Sequence, residues 1–236
     1  MTLKPIGGKP ITQNSLNSST CAKQARPPII VSDVLDTLVV DPFFNGMAAH
    51  FGFENFSDFV SAKTPDVWVN FELGHISEAQ LAEQFFKDRR PVNLPSFKNF
   101  LRQSYRMVPG TDLLLNTLRK AHIEVHLCSN YPIWDDLIEE TVQLHARYGA
   151  RWTFVSGKEG VRKPDATAYQ RVAAKAGVDL SSCVLLDDRE KNCEGALEAG
   201  YLAAIHFRDA KQAVDDLAEV LADRGVTLDI STRLMP

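Results

Sequence analysis

No apolar stretch in the 236-residue sequence is long enough to cross a bilayer: the longest runs, IIV at 29–31 and CVLL at 183–186, are strand-sized, against the roughly 20 residues a span requires. There is no basic stripe either. Twenty-six Lys and Arg are mixed with 30 Asp and Glu, for a formal net charge of −4, so a nucleic-acid backbone finds no continuous countercharge. Membrane and nucleic acid are both excluded as expected partners. Cysteine is sparse: Cys21, Cys128, Cys183 and Cys193 form no CxxC pair, which leaves neither a disulfide framework nor a zinc site. They read as free thiols in a reducing compartment, behaving as small hydrophobes. The six histidines are scattered without metal-ligand spacing. Acidic residues are missing from 1–27, which carry Lys4, Lys9, Lys23, Arg26 and six Ser or Thr. That composition fits an organelle transit peptide, and equally a short disordered tail.

What is present alternates strand-like apolar runs with helical patterns, which argues for an α/β fold with a parallel sheet covered on both faces. The expected strands are 28–33 (PIIVSD), 123–128 (IEVHLC), 183–187 (CVLLD) and 202–206 (LAAIH), with a short piece at 152–155. Helices are expected at about 111–121, 133–148, 165–177, 190–199 and 210–224. The stretch 43–107 breaks the alternation with several consecutive helical patterns, so the expected organisation is a core of 28–42 and 108–236 carrying a helical insertion.

In open α/β sheets ligands bind beyond the carboxyl ends of the strands, and polar residues collect at four such places. IIVSDVLDTL sets Asp33 at a strand end, followed by Asp36 and Thr37. VHLCSNYP sets Ser129 and Asn130 at the next. GVRKPD brings Lys163 just before a helix start marked by Pro164 and Asp165, and VLLDDREKN brings Asp187, Asp188 and Asn192.

This ordered set resembles the haloacid dehalogenase (HAD) superfamily along nearly the whole stretch from 28 to about 208. The resemblance implies a Rossmann-like core with a small inserted α-helical cap of the C1 type. It also implies a phosphohydrolase in which Asp33 is a nucleophile that forms an aspartyl phosphate. A phosphate dianion repels a carboxylate, so such an attack needs countercharge, here from Lys163 and Mg²⁺. The resemblance makes Asp33 and Asp188 direct metal ligands, with the Leu35 carbonyl completing the protein's share and Asp187 and Asn192 beside or behind them. Ser129 and the Asn130 amide would hold the phosphoryl oxygens.

One position departs from the pattern. Phosphatases of this superfamily carry a second Asp two residues after the nucleophile as general acid, and here that residue is Leu35. Loss of a positioned acid costs about 10²–10⁴-fold in rate. Three readings stay open: a dehalogenase, whose leaving halide needs no proton; a ligand-binding relative with little catalysis; or a phosphatase whose proton comes from Asp36 or from the insertion. The intact acidic cluster and Lys163 favour the third.

The wording of DVLDTLVVDPFF, PDVWVNFELGHISEAQLAEQFF, SNYPIWDDLIEE and GKEGVRKPD is similar to the plastid flavin mononucleotide (FMN) hydrolases of plants and algae. That narrower resemblance implies hydrolysis of FMN to riboflavin, and a plastid location with the cytoplasm as the alternative. A flat isoalloxazine ring would need an aromatic or apolar slot. Tyr131 and Trp134, beside the second motif, and Trp68 in the insertion are the candidates. Phe71, Phe85 and Phe86 read as the insertion's own core, and Glu72 and Arg89 as solvated charges.

Overall fold

The computed structural model describes residues 26–229. The expected tail therefore lies outside the described residues except for Arg26 and Pro27, and Cys21 lies outside them too. Five strands appear where they were expected: β1 (Ile29–Ser32), β2 (Val125–Ser129), β3 (Arg151–Val155), β4 (Cys183–Asp187) and β5 (Ala203–His206). They form one parallel sheet in the order β3-β2-β1-β4-β5. β1 pairs on both sides and all its residues are buried, which is why the run shows no polar alternation.

Helices cover both faces. Ile30, Val184 and Leu186 point into one apolar cluster with Leu114 and Leu118 of α6 (Thr111–Lys120) and Leu217 and Leu221 of α12 (Ala210–Ala222). The alternate residues Ile29, Val31 and Leu185 join Tyr169 and Val172 of α10 (Ala166–Ala176) and Ala196 of α11 (Glu190–Glu198). Cys128, Cys183 and Cys193 are buried and unpaired.

The helix expected over 133–148 is two helices, α7 (Asp135–Val142) and α8 (Leu144–Tyr148). Gln143 between them is left-handed at φ 57°. The Glu139 carboxylate accepts the amides of His145 and Ala146 at 3.1 and 3.3 Å, giving the new helix start the acceptor that an unbroken helix would have supplied.

Between β1 and α6 the chain forms five helices: α1 (Met47–His50), α2 (Phe56–Ala62), α3 (Val67–Glu72), α4 (Glu78–Gln84) and α5 (Leu94–Ser104). Phe59, Phe71, Phe85, Phe86 and Phe97 are all buried there. Asn93 accepts the Ser96 amide, with Pro95 in the first turn of α5.

This helical segment meets the sheet through a close backbone contact. The Ser156 hydroxyl, at the start of the short helix α9 (Ser156–Glu159), donates to the Glu72 carbonyl at 2.6 Å and accepts the Tyr131 amide at 2.9 Å. A Cβ on Gly74 would lie 2.8 Å from the Gly157 carbonyl oxygen, and one on Gly157 would lie 2.8–2.9 Å from the backbone of Pro132 and Ile133. Backbone cannot yield there as a side-chain end can. Gly157→Ala should lower stability by about 1–3 kcal/mol, read as a fall in the urea midpoint; an unchanged midpoint would show that the contact is slack.

Candidate active site

The chain runs from β1 to β2 and β3 on one side, then crosses to β4 and β5 on the other. Such a reversal opens a crevice at the strands' carboxyl ends. Asp33 follows β1, Ser129 ends β2, and Asp187 ends β4 with Asp188 next.

Lys163 joins these ends. Its Nζ donates to Asp33 Oδ1 at 2.7 Å and to Asp187 Oδ2 at 2.6 Å, and the residue is 1% exposed. Burial alone would strip the charge, but Asp187 and Asp33 hold the ammonium well above the usual lysine range. The Asn130 side chain clamps the lysine's backbone, accepting the Lys163 N–H at 2.8 Å and donating to its carbonyl at 2.9 Å. α11 packs against the same turn with no room to spare, since a Cβ on Gly195 would meet Pro164 at 2.8 Å.

Asp187 is fully engaged. Besides Lys163 it accepts the Asn192 amide group at 2.8 Å and the Arg189 backbone N–H at 3.0 Å. Asp187 and Asn192, expected beside or behind the metal ligands, orient the lysine, with Asn192 spending its side-chain amide on Asp187. Thr37 ties the first motif to the last, donating to Asp33 Oδ2 at 3.4 Å and accepting the Asp188 amide at 3.1 Å.

Three carboxylates, Asp33, Asp187 and Asp188, bring oxygens within 4.8 Å of one another. Lys163 is the only cation hydrogen-bonded to them among the described residues. Burial, partly offset by Lys163, pushes the Asp33 carboxyl up to about 7, and the charges of Asp187 and Asp188 act in the same direction. Burial and Asp187 raise Asp188 as well. An excess of hard oxygens around one ammonium fits a divalent cation of the magnesium type. Asp33 Oδ2, Asp188 and the Leu35 carbonyl, which accepts no backbone hydrogen bond among the described residues, are the atoms left to hold it.

Asp33, Leu35 and Asp188 form the floor of a cavity of about 210 Å³, and the helical segment forms much of its wall. Ser129, Asn130, Tyr131, Trp68, Leu35 and Asp36 all line it. Trp134 does not. It is buried against Phe71, with ring centroids 4.7 Å apart, and its indole N–H bonds Glu78. An amphipathic ring between two packed layers is used as core, so the slot expected at Trp134 is absent. Tyr131 keeps its place, its hydroxyl bonded to that of Tyr105.

Several lining residues were not foreseen. Asp41, Phe43, Phe44, Lys63 and Arg162 all face the cavity, although Asp41 and both phenylalanines stand in the DPFF stretch and Arg162 precedes the lysine. Glu72 is no solvated charge. It is buried, with Oε1 accepting the Trp68 indole N–H at 2.7 Å and Oε2 lying 3.2 Å from Arg162. Arg89 is exposed, outside the cavity.

No family model matches the chain. It is 36% identical to the chloroplastic flavin mononucleotide hydrolase 1 of Arabidopsis thaliana over 216 residues, 92% of this chain and 85% of that protein. The chain belongs to the HAD phosphatase family. In fold, this phosphatase superposes on a HAD family enzyme of Bacteroides thetaiotaomicron solved with magnesium and inorganic phosphate, with TM-score 0.59 and 18% identity over 78% of this chain and 95% of that one. A predicted HAD-like hydrolase of Porphyromonas gingivalis gives TM-score 0.64 and 14% identity over 84% and 98%. A HAD phosphatase acts on small phosphate esters, and this cavity is of that scale.

Burial, only partly offset by Arg162 and the Trp68 hydrogen bond, pushes Glu72 from the ordinary 4.5 up to about 7. A carboxyl raised in the folded state stabilises the fold while protonated: its contribution is full below about 4.5 and is lost as pH rises through about 7. Glu72→Gln removes that dependence. Urea titrations from pH 4 to 8 should show the variant gaining on the native chain by up to about 3 kcal/mol across the window; parallel profiles would contradict it.

Proposed function

We propose that this phosphatase hydrolyses FMN to riboflavin and phosphate, through an aspartyl phosphate on Asp33 and with Mg²⁺ bound at Asp33, Asp188 and the Leu35 carbonyl. The supporting observation is a cavity with two chemically distinct parts, an acidic floor at Asp33 and Asp188 and an aromatic wall from the helical segment. It agrees with the activity for which the Arabidopsis relative is named.

When bound, Mg²⁺ supplies positive charge at the phosphoryl oxygens. The chain's own residues do the rest. Lys163 fixes the Asp33 carboxylate and neutralises its repulsion with the incoming dianion, while the Ser129 hydroxyl and Asn130 amide hold the phosphoryl group in line with Asp33. Attack forms an Asp33–phosphorus bond as the ester bond breaks, and water then cleaves the acyl phosphate. Residues 43–107 act as the cap that walls off this floor.

Pockets for drug-sized ligands usually measure about 300–1,000 Å³, more than the 210 Å³ here. The phosphate and ribityl chain fit inside, leaving the isoalloxazine ring at the mouth. Phe44 stands there, 56% exposed and 4.9 Å from Phe43. Such exposure of a Phe is costly in water and suits a ring that covers it. A plastid location follows from the relative's name and the acid-free composition of 1–27.

The test is phosphate release with Mg²⁺ across FMN, sugar phosphates and nucleotides, where FMN should give the highest kcat/KM; no preference for the flavin would overturn the substrate assignment. In the same panel Phe44→Ala should raise KM for FMN by about 5–10-fold and leave KM for glycerol 2-phosphate nearly unmoved. Equal effects on both would place the ring elsewhere.

A further inference from the structure

Position 35 gives this site no proton, so a group elsewhere in the cavity must protonate the leaving oxygen. The inference rests on the phosphatase reading, not on the flavin. We propose that Asp41 is the proton donor to the leaving alcohol and, once deprotonated, the base that activates water, and that Asp36 is the positioning residue that holds Asp41 in place.

The geometry starts from the turn after β1. Leu35 pairs with Val39 in a short bridge, and the Asp36 amide donates to the Val39 carbonyl at 2.7 Å. The chain thereby folds back over the motif that carries Asp33. Asp36 takes the left-handed conformation at φ 57° and its Oδ1 accepts the Asp41 amide at 2.8 Å. That bond gives Asp36 a structural task and brings Asp41 against the nucleophile's loop.

Asp41 then faces the same cavity as Asp33. Its Oδ1 accepts the Phe43 amide at 2.8 Å, which fixes the rotamer, while Oδ2 has no hydrogen-bond partner among the described residues. One oxygen is thus held and the other is free for a proton. Glu72, the buried carboxyl of the wall, has Trp68 on one oxygen and Arg162 beside the other. Neither of its oxygens is left open as Asp41 Oδ2 is, so Asp41 has the better access to a leaving group.

The charged surroundings agree. Burial raises the Asp41 carboxyl to about 6; the Phe43 amide opposes this, Asp36 and Asp188 add to it, and Arg189 lowers it. Lys63 and Glu72 also interact with it across the cavity.

In the first step the Asp33 oxygen bonds to phosphorus, the ester P–O bond breaks with its electron pair going to the ester oxygen, and that oxygen takes the proton from Asp41 Oδ2. In the second, water attacks phosphorus and gives its proton to Asp41. The acyl phosphate bond breaks and its pair returns to the Asp33 carboxylate.

Leaving-group dependence in the first turnover tests this, because p-nitrophenolate departs without a proton and an alkoxide does not. In the full chain with Mg²⁺, Asp41→Asn should slow the riboflavin burst from FMN by on the order of 10²–10⁴-fold and the p-nitrophenolate burst from p-nitrophenyl phosphate far less. Asn keeps an oxygen for the Phe43 amide, and thermal unfolding checks that the fold is retained. If that variant does not fold, Asp41→Glu, with its carboxyl displaced, should still slow riboflavin release more than p-nitrophenolate release. Equal slowing of both bursts, or of neither, overturns the proposal. Should the native chain leave FMN untouched, the comparison is made with glycerol 2-phosphate as the alkyl ester, so failure of the flavin assignment is distinguishable from failure of the Asp41 assignment.

Discussion

Everything at the floor of this site hangs on the buried bridge that Lys163 makes between Asp33 and Asp187. Removing one member of such a buried pair typically costs about 3–5 kcal/mol because the remaining charge is stranded, so the surroundings are committed to keeping all three together. Asn130 grips the lysine's backbone from the end of β2, Asn192 and the Arg189 amide saturate the far side of Asp187, and Gly195 lets α11 close against Pro164. The four motifs are separate in sequence and one hydrogen-bonded unit in space. The strand order makes this so, because β1 sits between β2 and β4.

The same bridge explains why the floor remains hungry for positive charge. One ammonium is bonded to two carboxylates, and Asp188 stands beside them with no ion-pair partner within contact distance among the described residues. The result is a site whose acids are pushed up by burial and by one another, a state that a hard cation would relieve. Above the floor the helical segment supplies a different chemistry, with aromatic rings and the buried carboxyl of Glu72.

Much of this was legible in the chain. IIVSD, CVLLD and the other apolar runs read directly as buried parallel strands, since a strand covered on both faces must be apolar throughout, and the residues just after them had to sit at the crevice. The helix break at Gln143 was not legible, because its cause is Glu139 capping a helix that starts five residues later. Trp134 was misplaced for a related reason: proximity in sequence to Ser129 says nothing about which way a large ring turns once Phe71 and Phe97 are packed against it. Asp41 was passed over although it stands in DPFF, because its approach to the nucleophile depends on the left-handed turn at Asp36. Glu72 looked like a surface charge, and only the docking of α3 on Ser156 buries it.

The account stands or falls on Asp33 as the group that takes the phosphoryl. Acid-quenching the native chain within the first turnover on substrate and Mg²⁺, followed by peptide mass spectrometry, reads this directly. The account predicts one added phosphoryl group on the peptide spanning Asp33, absent in Asp33→Asn. Turnover without any phosphorylated peptide, or with the phosphoryl on another residue, would contradict it.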